Sequence, residues 1–361
     1  MLRNRMKELE IQGQIIKPGE RKLISLPVGI LTTHEPVTMR AWVIRGKTDG
    51  PTLMVTGCIH GDEINGAEII RRLVNSPSLT KRFKGTLIAV PIVNVPAFSN
   101  RSRYLPDRRD LNRLFPGSPK GSLGGRLAHV LTSELLPLCD AVVDLHTGAV
   151  NRANLPQVRV TADDEASLDV AQAFGSPVTL TTETQSGTFR AACNEAGVPV
   201  ILYESGEALR LDTASIRFGK RGVQAVMRHM GMLPKRPAAA KKSAKHAVVC
   251  EKGHWERAQV GGIFTALIAL GKAVKKGDVL GFVADPFGDY EEEIVSSQTG
   301  ILIGRTNVGQ IDEGDALFHV ALARFPSRAE KKIVQSGEGL PDIAADDDDH
   351  PVHYDPYTDV I

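Results

Sequence analysis

Apolar positions along the chain follow two rhythms. Short runs of strand-forming residues, bounded by Gly, Pro or Asp, predict strands at 22–27, 37–44, 52–56, 85–90, 141–145, 158–160, 178–180 and 198–203. Between them apolar residues recur at helical spacing. Ile64, Ala67, Ile70 and Leu73 mark a helix over 65–73, and Leu127, Val130, Leu131 and Leu135 mark one over 125–138. Further helices are expected over 165–174 and, from Val223, Val226, Met227 and Met230, over 216–230. Such alternation predicts an α/β domain over 1–233: a mixed, mostly parallel sheet flanked by helices, entered through an N-terminal β segment at 1–50.

The pattern changes twice after that. Residues 234–245 have no large apolar side chain and concentrate Lys and Arg between Pro and Ala, which reads as a linker. With no aromatic residues interleaved, its charge does not read as a nucleic-acid patch. Residues 246–325 return to short β runs punctuated by Gly and predict a small C-terminal all-β barrel or sandwich. Its Val274-Lys-Lys-Gly-Asp-Val-Leu280 turn resembles the biotinyl/lipoyl-carrier type of domain. No Lys-Met or Asp-Lys pair stands where a modified lysine belongs, so no swinging cofactor arm is expected. Periodicity fades from 326, and Asp346–Asp349 is a block of like charge. Residues 326–361 are therefore expected to be an acidic, flexible tail in which His350 and His353 are solvated.

Composition narrows the class. A chain of 361 residues has room for two domains, and its 42% apolar and 24% charged residues are those of a soluble globular protein. A formal net charge of +2 provides no electrostatic footprint for nucleic acid or an anionic membrane surface. Cys58, Cys139, Cys193 and Cys250 have no Cys-x-x-Cys spacing, the pattern of buried, reduced thiols in a cytoplasmic protein. No stretch reaches the ~18 apolar residues of a membrane span. The expected partner is a small molecule, and nothing in the composition bars a homo-oligomer.

The chemistry gathers where predicted strands end. Thr56-Gly-Cys-Ile-His-Gly-Asp-Glu-Ile64 links the strand at 52–56 to the helix after it, placing His60 and Glu63 beyond a carboxyl strand end, where open α/β sheets bind ligands. An imidazole and a carboxylate three residues apart can grip one cation, and zinc accepts both donor types. His-x-x-Glu alone is a weak signal. A second apolar run, 141–145, also delivers a histidine, His146, and three protein ligands would leave zinc a position for catalysis. The strand at 198–203 runs into Glu204, a carboxylate suited to general-base work; Glu207 is the competing candidate, less firmly held. Arginines in Arg101-Ser-Arg-Tyr104 and along 108–117 read either as a solvated loop or as fixed positive partners for an oxyanion and a substrate carboxylate.

His60-Gly-Asp-Glu63, Arg103-Tyr104 with Asp110-Leu-Asn-Arg113, Asp144-Leu-His-Thr-Gly148 and Tyr203-Glu-Ser-Gly206 occur in that order. Together they resemble the succinylglutamate desuccinylase/aspartoacylase family, a branch of the zinc carboxypeptidase clan. The resemblance implies one Zn2+ held by His60, Glu63 and His146, with Glu204 as base and proton shuttle. It implies Arg103 at the oxyanion and Asn112 and Arg113 at a substrate carboxylate, with Arg190 as a second carboxylate-binding arginine. The implied activity is hydrolysis of the amide bond of a small N-acyl amino acid. A zinc carboxypeptidase acting on peptides and a non-catalytic metal-binding scaffold are the alternatives.

Overall fold

The structure is a computed structural model that describes residues 8–81, 83–235, 248–323 and 325–336. A hairpin of β1 (Leu9–Ile11) and β2 (Gln14–Ile16) leads into the main sheet. That sheet takes up β3 (Arg21–Ile30), β4 (Pro36–Arg45), β5 (Thr48–Gly57), β6 (Lys84–Val90), β7 (Ala141–Gly148), β8 (Arg152–Thr161), β9 (Val178–Thr182) and β10 (Val200–Glu207). The C-terminal part adds β11 (Val248–Cys250), β12 (Gly253–Arg257), β13 (Gly262–Ala266), β14 (Ala273–Val274), β15 (Val279–Ala284), β16 (Glu291–Val295), β17 (Gly300–Thr306), β18 (Gln310–Ile311) and β19 (Ala316–Leu322).

The spatial order β3-β4-β6-β5-β7-β10-β8-β17-β19-β12 puts four parallel strands, β6, β5, β7 and β10, at the centre. Outside them β4 and β3 pair antiparallel on one side and β8 on the other. The sheet is therefore mixed: parallel pairing holds at its centre and in a side branch where β9 joins β8 and β11, and the remaining pairs are antiparallel. Connection length explains the difference. Parallel neighbours need a crossover of a dozen or more residues, whereas five residues join β3 to β4 and three join β7 to β8.

Central strands are buried on both faces, so adjacent residues feed opposite cores. Leu53, Val55, Val143 and Tyr203 pack beneath helices Asn65–Val74, Glu165–Phe174 and Thr213–His229. Met54, Val142 and Val200 face the other core, closed by helices Leu123–Val130 and Phe189–Glu195 and the N-terminal strands. Asp164 and Asp212 cap their helices by accepting from the backbone N–H of Ser167 and Ser215.

The C-terminal strands do not stand apart: Gly304 of β17 pairs with Asn154 of β8, so one sheet runs through both parts of the chain. A second sheet, β16-β15-β13-β18, shares a core of Phe264, Leu280, Val283, Leu317 and Phe318 with β17 and β19. Apart from Pro234 and Lys235, the linker expected at 234–245 lies outside the described residues, as does the Asp346–Asp349 block. The segment expected to be flexible from 326 begins instead as a helix, Pro326–Ser336. Its buried Ala329 and Ile333, four residues apart on one face, pack with Leu155 and Ile301. Ala329, Ile333 and Val334 among charged neighbours are too sparse a signal to stand out in the sequence.

Candidate active site

The loop after β5 is held by close backbone packing. A Cβ on Gly61 would lie 2.1 Å from the carbonyl carbon of Ala97, so only glycine lets the loop settle on helix Val95–Ser99. Cys58 adopts a positive φ of 54° just past the strand, and its thiol lies 3.5 Å from the Glu63 carbonyl, in a packing role. Burial pushes that thiol up to about 12. The turn delivers His60 and Glu63, and β7 delivers His146; all three are buried.

Glu63 is the hub. Its Oε1 lies 2.7 Å from His60 Nδ1 and its Oε2 lies 2.7 Å from His146 Nδ1. Each imidazole is backed on its far side: His60 Nε2 is 3.2 Å from Asp110 and His146 Nε2 is 2.8 Å from Asp144. Thr56 Oγ1 donates in turn to Asp144 at 2.7 Å, and the Thr147 N–H donates to Glu63. One donor atom from each of His60, Glu63 and His146 comes within 4.8 Å of the others; among the described residues no other such trio of His, Cys, Asp or Glu occurs. Two imidazoles and a carboxylate, with both far ring nitrogens held by carboxylates, form a donor set that suits zinc.

The electrostatics follow from this packing. Burial alone would lower the His60 and His146 imidazoles, but Glu63 with Asp110 and Asp144 outweighs it, raising His60 and holding His146 well above its ordinary value. Burial opposes charge on Glu63 and Asp110 too, yet the imidazoles, joined at Asp110 by Arg103, keep both below the usual carboxylate range. Arg103 spans the group, donating to Glu63 at 3.3 Å and to Asp110 at 3.1 Å.

Beside the trio lies a cavity of about 250 Å³. Of the residues singled out from the sequence, His60, Glu63, Arg103, Asn112, Arg113, His146, Arg190 and Glu204 line it. Glu204 pairs in register with His146 across the parallel β7–β10 ladder, so both project from one face. The register shifts just after Glu204, where Gly206 takes a φ of 76°. Beyond that shift Glu207 turns to Asn151 and Asn307 and does not line the cavity. Asn112 accepts from the Phe189 N–H at 2.9 Å, and Arg113 donates to the Asn112 carbonyl at 2.6 Å. Arg190 donates to the Glu183 carbonyl, and burial followed by the charge of Arg159 lowers its pKa.

Sequence reading missed Asn154, Arg159 and Trp255. Asn154 and Arg159 both reach Glu204, the latter at 2.9 Å. They lie on β8, whose polar residues interrupt the apolar run that would have announced ten residues of strand. Trp255 reaches the cavity from the C-terminal part, stacked on His319 with ring centroids 4.6 Å apart. Only tertiary pairing could place it there.

The family model for the succinylglutamate desuccinylase/aspartoacylase catalytic domain matches residues 49–230, half of the chain. The N-α-acetyl-L-2,4-diaminobutyric acid deacetylase of Halomonas elongata is 28% identical over 296 residues, covering 79% of this chain and 85% of that protein. Among solved structures, product-bound ectoine utilization protein EutE (DoeB) of Ruegeria pomeroyi superposes with a TM-score of 0.77 at 27% identity, covering 87% of this chain and 98% of that one. A succinylglutamate desuccinylase/aspartoacylase from Rhodobacter sphaeroides gives 0.76 at 26%, covering 88% and 99%.

Proposed function

The chain belongs to the succinylglutamate desuccinylase/aspartoacylase family, and from that premise we propose that it hydrolyses the amide bond of a small N-acyl amino acid. His60, Glu63 and His146 would hold zinc. Bound there, zinc supplies a Lewis acid and lowers the pKa of water to about 7. The Glu204 carboxylate accepts the proton of the attacking water and returns it to the leaving amine nitrogen. Arg103 donates to the developing oxyanion, while Asn112 and Arg113 orient a substrate carboxylate, with Arg190 as a further anion partner.

The observation that supports this reading is the register pairing of Glu204 with His146, which puts a carboxylate on the same sheet face as one member of the donor trio. A cavity of about 250 Å³, walled on one side by Trp255, favours a small substrate over the extended peptide of a carboxypeptidase. The deacetylase name of the Halomonas elongata relative points to the same bond. The four cysteines are free and buried, in keeping with a reducing, cytoplasmic compartment. No helix among the described residues is long and apolar enough to cross a membrane.

Metal analysis combined with a deacylation screen of N-acyl amino acids, on the wild type and Glu204→Gln, tests the proposal. The variant should retain one zinc per chain and lose roughly a thousandfold or more in kcat. Near-normal turnover by the variant would remove Glu204 from its role, and a wild type that binds zinc yet cleaves no amide would return the chain to the scaffold reading.

A further inference from the structure

Asn154 has no part in the mechanism above, yet it holds the proposed base. Its Nδ2 donates to Glu204 Oε2 at 2.5 Å. Arg159 reaches the same oxygen at 2.9 Å, so both partners engage Oε2 and neither occupies Oε1. A carboxylate held by one oxygen keeps the other to take a proton, and its orientation then depends on what holds the donor.

Asn154 is itself buried, on the strand where the two parts of the chain join. It pairs with Gly206 across the β8–β10 ladder and with Gly304 across β8–β17. Gly304 leaves the room that the amide needs. A Cβ there would lie 2.9 Å from Asn154 Oδ1, 3.0 Å from His319 Cβ and 3.6 Å from Trp255 Cη2, so three side chains border one point. Arg152, two residues from Asn154 and on the same face of β8, lies over the Trp255 ring at 5.4 Å from its centroid. His319 stacks on that indole with only 8° between the planes. Its Nδ1 is buried with no hydrogen-bond partner, and burial, followed by the charges of Arg159 and His254, pushes the imidazole down to about 3. A ring that is neutral and has an unbonded nitrogen serves here as a flat support and not as an acid or base.

We propose that Asn154 is a positioning residue for Glu204, and that β17 at Gly304, closed in by Trp255 and His319, holds it in place. The inference rests on the deacylase reading and deepens it: the C-terminal strands set the angle at which the base meets its proton.

The test measures kcat and KM of the zinc-loaded full chain on N-acetyl-L-aspartate and N-α-acetyl-L-2,4-diaminobutyrate, taking the faster of the two. Asn154→Ala should lower kcat about 10- to 100-fold and leave KM within about threefold, because a slightly misplaced reacting group costs on that scale while binding is untouched. Asn154→Asp keeps the shape but replaces the donor by an acceptor, and should be at least as damaging. An aspartate variant as active as the wild type would overturn the proposal. Gly304→Ala and His319→Ala should each lower kcat about tenfold in the wild type and less than about twofold in the Asn154→Ala background. Equal losses in both backgrounds would mark the C-terminal residues as merely structural and reject their role. NMR of the chelated full chain, labelled with nitrogen-15 asparagine, supplies a readout independent of turnover. The Asn154 side-chain amide, identified by its loss in Asn154→Ala, should shift in Glu204→Gln and in Gly304→Ala. A resonance unmoved by either would reject the positioning, even if neither amide were cleaved and the deacylase reading itself had failed.

Discussion

The two walls of the cavity are built on opposite principles. At the carboxyl ends of β5 and β7 the imidazole nitrogens and the Glu63 carboxylate all meet a partner, and a further layer of Asp110, Asp144 and Thr56 holds the partners. Across the cavity, β8 and helix Phe189–Glu195 present guanidinium groups with buried nitrogens that no protein atom satisfies. A saturated network sits in one geometry because any displacement breaks several bonds at once. An unsatisfied one carries a standing cost that a ligand can relieve. The first wall suits chemistry that must be the same for every substrate, and the second suits choosing among substrates.

If that division holds, damage to the two walls should look different. The largest effect is expected from His146→Ala, which removes a donor from the trio: zinc content after dialysis should fall far below one per chain, and deacylation should vanish with it. Retention of stoichiometric zinc would break the comparison at its root. Asp144→Asn should be milder, weakening zinc about 10- to 100-fold in a competition titration with a chromophoric chelator, because Asp144 acts on the metal only by holding His146. An unchanged affinity would show that the outer layer is dispensable.

The network also has a proton signature. His60 and His146 are held above their ordinary pKa, so the chelated protein keeps its imidazole protons to higher pH than a free imidazole would, and zinc must displace them. Apparent zinc affinity should rise with pH above about 6.5, and titrations in buffers of different ionisation enthalpy should report proton release on binding. The linked stability runs the opposite way. With raised folded-state pKa values, the contribution of these imidazoles is complete below about 6.5 and lost as pH rises through the folded values, so the Tm of the chelated protein should fall on that side. Glu63 and Asp110, whose values are depressed, contribute above the usual carboxylate range and lose that contribution in acid. A flat Tm from pH 6 to 9 would contradict this assignment. The smallest effect belongs to Thr56→Val, which removes one buried hydrogen bond to Asp144 and should cost about 1–2 kcal/mol in denaturant unfolding.

The sequence by itself determined the saturated wall. Apolar runs long enough to be central strands, each closing on a histidine or a carboxylate, are a local pattern, and strand-end placement follows from chain geometry before any packing is known. His60, Glu63, His146 and Glu204 were legible for that reason, as were the helices over Asn65–Val74 and Glu165–Phe174. Tertiary structure decided the rest. The short connections that turn β3, β4 and β8 antiparallel set the character of the sheet, and the pairing of β17 with β8 merges the C-terminal strands into it. Arg159 and Trp255 carry no local signal, since a polar residue on a strand reads the same whether it faces solvent or a cavity. Their meaning arises only when distant segments meet, because burial and charge balance belong to the assembled surface and not to any stretch of chain.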